Sequence, residues 1–81
     1  MLQTTSRPLY TIASEIRKTW GAKVNFAAKP YLEAMECLTN VTDMYGEDSA
    51  KSIVNYFLAN ANTWRGEDAK RIKAELKAMV K

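Results

Sequence analysis

One phrase in the second half of the chain is written twice. Gly46-Glu47-Asp48-Ser49-Ala50-Lys51-Ser52-Ile53 returns, one residue shorter, as Gly66-Glu67-Asp68-Ala69-Lys70-Arg71-Ile72. Each copy sets a glycine, then two carboxylates, then apolar residues at helical spacing. Glycine suits the left-handed turn that closes a helix. Acids suit the positive N-terminal end of the next one. Both copies therefore predict helix-to-helix junctions, and the two junctions divide the chain into helical segments.

The segments carry matching periodicity. Leu9, Ile12, Ala13, Ile16 and Trp20 form one amphipathic stripe. Ser6 is a candidate cap, Pro8 fits the first turn and Gly21 ends the helix. Residues 22–28 connect, with Val24 and Phe26 expected to pin the link to the core. A second helix is predicted from Pro30 to Tyr45. Tyr31, Met35, Leu38, Thr42 and Tyr45 make its stripe, and Ala34, Cys37, Val41 and Met44 widen it. So wide a face needs more than one neighbour. It predicts either the centre of a bundle or a two-fold dimer with Ala34, Cys37, Val41 and Met44 at the interface.

Gly46 is expected to close that helix, and Asp48 or Ser49 to cap the third. Ala50, Ile53, Val54, Phe57, Leu58 and Ala61 give the third helix its inner face. Asn60-Ala61-Asn62-Thr63 is poor helix interior and marks a turn. Thr63 or Gly66 opens the last helix, where Ala69, Ile72, Leu76, Met79 and Val80 point inward. No sustained alternation predicts a strand. The expected fold is all-α, a small compact bundle of about four helices, each of roughly 11–16 residues, or three long helices and a short one. Residues 1–7 are expected to be a flexible N-terminus, and 8–81 a single helical domain.

The 81 residues suffice for one domain of modest stability, about 4–12 kcal/mol. The single cysteine, Cys37, excludes an internal disulfide and fits a reducing compartment. The N-terminus lacks the basic and apolar regions of a signal peptide. The longest apolar run, Tyr56 to Ala61, is interrupted by Asn60 and too short to span a bilayer. These features predict a cytoplasmic protein without a membrane partner.

Chemistry has little to work with. The chain has no histidine, so the usual neutral-pH acid–base group is missing. Cys37 has no base beside it, and Glu33 and Glu36 would raise a thiol pKa. Glu33 and Glu36 themselves read as an ordinary solvated patch. One cysteine and scattered carboxylates make no metal-ligand spacing. The three glycines stand apart, so no loop cradles phosphate. No catalytic, cofactor or metal residue is expected, and the chain is not expected to be an enzyme.

Binding residues are easier to find. The net charge of +3 is spread unevenly: the two ends of the chain are basic and residues 29–64 are acidic. Lys70, Lys73, Lys77 and Lys81 recur along the last helix, beside its apolar face. Such lysines commonly cover apolar surface with their stems; the alternative is a ridge for acidic protein or for nucleic acid. Arg65 extends the ridge. Trp64 beside it reads as core, or as an anchor of the kind that dominates interfaces. No nucleic-acid-binding fold signature appears, so lysine would supply only sequence-independent affinity.

Three segments together resemble a group of short bacteriophage and prophage proteins. They are Ala27 to Met35, Met44 to Ala50, and Tyr56-Phe57-Leu58-Ala59-Asn60-Ala61-Asn62-Thr63-Trp64-Arg65-Gly66 running on to Ile72-Lys73-Ala74-Glu75-Leu76-Lys77. The likeness spans about residues 12–80 and supplies no catalytic residues. It implies a protein that acts by binding a host or phage protein, as an inhibitor or adaptor of a host enzyme or defence system such as a CRISPR nuclease. The alternative is a nucleic-acid-binding accessory protein that uses the lysine ridge.

Overall fold

Leu9, Ile12, Ala13, Ile16 and Trp20 are all buried on one face of helix α1 (Leu9–Trp20). The computed structural model describes residues 7–80. Ser6 as a cap, residues 1–6 as a flexible stretch and Lys81 lie outside them. Pro8 offers no side-chain cap to α1. The first helical N–H groups instead find carbonyls from elsewhere: Leu9 N donates to Thr39 O and Tyr10 N to Leu38 O, both at 2.9 Å. Orphan donors at a helix start need such partners. Gly21 closes α1 and begins a 3-10 turn, Gly21–Lys23.

Helix α2 (Lys29–Met35) is much shorter than expected. It does not reach Tyr45. The last turn tightens, with Cys37 N bonded to Ala34 O and Leu38 N to Met35 O. Thr39, Asn40, Val41 and Thr42 then resist helix, because branched and short polar side chains lose freedom or compete for backbone bonds there. Asp43 fixes the alternative. Its Oδ2 accepts from Thr39 N and Asn40 N, each at 3.0 Å.

A two-stranded antiparallel ribbon follows, also unpredicted. Met44–Tyr45 (β1) pairs with Asp48–Ser49 (β2), with Met44 opposite Ser49 and Tyr45 opposite Asp48. Gly46 has φ +64° and Glu47 is not in the left-handed region. That is the pattern of a type II′ hairpin turn with glycine first. The first copy of the repeat is therefore a hairpin leading into a helix, and only the second joins two helices.

Helix α3 (Ala50–Ala59) starts at Ser49, whose side chain accepts from Ser52 N. Ala50 N and Lys51 N donate to the carbonyls of Asp43 and Val41. Ala50, Ile53, Val54, Phe57 and Ala61 are buried and Leu58 is half-buried, as expected. Asn60 ends the helix, with its side chain donating to Tyr56 O. Helix α4 (Glu67–Met79) opens at Gly66 and buries Ala69, Ile72 and Leu76, with Met79 and Val80 half-buried.

Among the described residues the fold is mostly α, with three longer helices and one short one. α2 packs chiefly on α3, and α1 packs on α4 and α2. Tyr31 and Tyr56 stack across the α2–α3 seam at 5.4 Å. The link before α2 departs from expectation. Val24 packs against the core, but Phe26 is 90% exposed. Asn25 fastens the link instead: its side chain donates to Asn60 O and accepts from Ala27 N.

Candidate functional site

Two helix junctions meet at one place, and each carries a tryptophan. Trp20 ends α1 and Trp64 precedes α4. Their rings stack at 5.2 Å and 10°, and Phe57 meets both edge-on. This aromatic trio is core: Trp20 is 7% exposed and Trp64 is 4% exposed. Trp64 is thus a buried support, and its neighbours face water.

Two grooves run along this support. One, of about 480 Å³, is lined by Thr19, Trp20, Lys23, Thr63, Trp64 and Arg65. The other, of about 400 Å³, is lined by Trp64, Arg65, Gly66, Glu67, Ala69, Lys70 and Lys73. Trp64 and Arg65 belong to both, and of the two Arg65 is the exposed one. A somewhat larger hollow on α1 includes Arg7, Glu15 and Lys18. There Arg7 and Glu15 already neutralise one another, with Arg7 Nη1 2.7 Å from Glu15 Oε1.

The predicted ridge of lysines divides. Lys70 is exposed and lines the second groove. Lys73 turns inward: its Nζ donates to Trp64 O at 2.6 Å and lies 5.9 Å from the centre of that ring. Its stem covers apolar surface as snorkelling requires. Burial pushes the Lys73 ammonium below its ordinary pKa, and Lys77 and Arg65 add repulsion. The carbonyl and the ring face work in the opposite direction, favouring the charged form. Lys77 is exposed further along α4.

The four residues expected to make a dimer face do not share one helix. Ala34 is buried within the chain, Cys37 lies exposed just beyond α2, Val41 is half-buried, and Met44 is 60% exposed on β1. These residues share a stripe only if the helix continues to Tyr45, and it ends at Met35.

The arginines separate into two kinds. Arg7 makes a forked contact with Glu75, at 3.0 and 2.7 Å, and also reaches Glu15. Arg7, assigned from sequence to the flexible stretch, is therefore held. Arg71 donates to Glu15 and Asp68. Arg17 makes a forked contact with Glu36. These acid partners raise the pKa of Arg7, Arg17 and Arg71, and hydrogen bonds from Arg71 and Arg7 in turn hold the Glu15 carboxyl below the usual range. Among the described residues, Arg65 is the one arginine with no carboxylate in contact.

Lys23 belongs to this face and was not singled out from sequence. A signal for it exists: Trp20-Gly21 and Trp64-Arg65-Gly66 both place a tryptophan and a glycine at a helix end, with a cation close by. Stacking the two tryptophans brings both cations together. Among the described residues, no three His, Cys, Asp or Glu side chains gather as a metal site, and no helix is long and apolar enough to cross a membrane. Comparison of the chain with protein-family models, with curated proteins and with solved structures finds no match.

Proposed function

We propose that this chain is a phage-type small protein that works, without catalysis of its own, by binding another protein. It would act in the cytoplasm as an inhibitor or adaptor of a host enzyme or defence system such as a CRISPR nuclease. The observation that carries this reading is the state of Arg65. The other three arginines are closed off by internal carboxylates. Arg65 is exposed, without such a partner among the described residues, and seated on a rigid aromatic support between two grooves. A fixed backbone beneath an unpaired guanidinium lowers the ordering cost of binding. Lys70 and Lys77 extend the same surface.

Affinity capture from lysates of several bacterial hosts, followed by mass spectrometry, tests the reading. Specific enrichment of a host or phage protein is expected. Failure to enrich any protein in all of the hosts overturns it.

The positive lining of the grooves also favours a second reading, a sequence-independent nucleic-acid-binding accessory protein. With Lys73 engaged by Trp64, the available cations along the ridge among the described residues are Arg65, Lys70 and Lys77. Three phosphate contacts give a slope of log affinity against log salt of about −2.7 for duplex DNA. A salt titration of labelled duplex measures it, and undetectable binding at low salt removes this reading.

A further inference from the structure

The protein-binding reading leaves unspecified the kind of segment that Arg65 meets. We infer that the two grooves beside Trp64 take one acidic, extended peptide segment of the partner protein, laid across Arg65. The inference rests on the protein-binding reading and adds the chemistry of the occupant.

Charge complementarity is the first support. Four cations line the grooves and come from three parts of the chain. Lys23 comes from the 3-10 turn after α1, Arg65 from the α3–α4 link, and Lys70 and Lys73 from α4. Among the described residues, Glu67 is the only carboxylate in either lining. The fold's own habits are the second support. It pairs Arg7 and Arg17 with carboxylates in forked geometry. A guanidinium fork matches a carboxylate better than any other protein group. Arg65 has this geometry available and no internal carboxylate to fill it.

Continuity is the third support. Arg65 and Trp64 border both grooves, so a segment that occupies both passes beside Arg65. Thr19 and Thr63 add polar edges at one end. Lys73 is already fixed by Trp64 O. It contributes positive potential to the floor, while Arg65, Lys23 and Lys70 make the direct contacts.

Nucleic acid fits this face less well. Single strands are held by stacking bases on open aromatic rings. Here Trp20 and Trp64 stack on one another and are almost wholly covered. Glu67 also interrupts the line of cations that a phosphate backbone follows.

The test uses the full chain and a fluorescein-labelled peptide of alternating glutamate and glycine, followed by fluorescence anisotropy at low salt. A duplex oligonucleotide of equal formal charge is titrated alongside. The peptide is expected to bind, Arg65→Ala to weaken it about tenfold, and Arg65→Lys to recover only part of that loss. Lys51→Ala removes the same charge from an exposed position on α3 outside both grooves, and should leave binding unchanged. Circular dichroism confirms that each variant is folded. Equal losses for Arg65→Ala and Lys51→Ala overturn the inference, because binding would then follow net charge alone. Absence of peptide binding overturns it too. Tighter Arg65-dependent binding of the duplex overturns it in favour of phosphate. Capture of a lysate protein that survives Arg65→Ala overturns the acidic-segment inference while leaving the protein-binding reading intact. Arg65-dependent peptide binding with no captured protein does the reverse.

Discussion

Gly66 opens α4 at φ +112°, with nothing within 4 Å of where a side chain would begin. From sequence, valine here is expected to clash with or strain the turn in which Trp64 packs. The structure leaves room for the side chain and puts the demand on the backbone. Only the backbone conformation is demanding, and side-chain-bearing residues rarely adopt it. Gly66→Ala and Gly66→Val should therefore destabilise the fold by similar amounts, about 1–3 kcal/mol each. Urea unfolding of both variants measures the difference. A much larger cost for valine would show that space matters after all. Arg65, one residue earlier, behaves in the opposite way. Its side chain makes no hydrogen bond or ion pair among the described residues, so Arg65→Ala should leave thermal unfolding within about 0.5 kcal/mol of the parent.

At the scale of elements, α1 and α3 share an unusual arrangement. Both receive backbone carbonyls of residues 38–43 at their N-terminal ends. Helix starts usually fray, so their first amides exchange quickly. Here the amides of Leu9, Tyr10, Ala50 and Lys51 should be protected in native-state hydrogen exchange, to an extent comparable with helix interiors. Fast exchange at all four would show that the 38–43 segment does not hold both helices. This segment also marks where sequence reading stopped. The inner faces of α1, α3 and α4 were legible because a buried stripe repeats at helical spacing over several turns. The end of α2 was not. Leu38, Thr42 and Tyr45 continue the stripe by chance, with Val41 beside it, and it outweighed the local message of Thr39-Asn40-Val41-Thr42-Asp43. The hairpin escaped notice because each strand has only two residues, too few to show alternation. Phe26 was misplaced because an isolated apolar residue in a link has no periodicity to assign it a side. At the candidate site, Arg65 and Trp64 were legible as a pair. The turning of Lys73 away from Lys70, and the arrival of Lys23, depend on how Trp20 meets Trp64.

For the whole molecule, acid should act through a few carboxylates. Glu15 is held low by hydrogen bonds from Arg71 and Arg7, and Asp43 by the N–H groups of Asn40 and Thr39. A carboxyl with a depressed folded-state pKa contributes stability above its unfolded value, about 4 for these groups. That contribution is lost as pH falls through the folded-state values. Without histidine, little should change from about pH 5 to 8. Urea midpoints should therefore be level near neutrality and fall below about pH 4. Glu15→Gln should cost about 1–2 kcal/mol near neutral pH and flatten the acid limb. An unchanged acid limb in that variant would remove Glu15 from the account.

The contact between Arg7 and Glu75 joins residues 68 positions apart. Synthesis from the N-terminus produces Arg7 well before Glu75. α1 likewise cannot close its own beginning until Thr39 and Leu38 exist to receive its amides. α1 is thus completed by parts of the chain made after it. On the ribosome its first amides gain their partners once Leu38 and Thr39 are made, whereas its packing on α4 and the Arg7–Glu75 ion pair must wait for α4, so the native contacts of α1 are assembled in two stages.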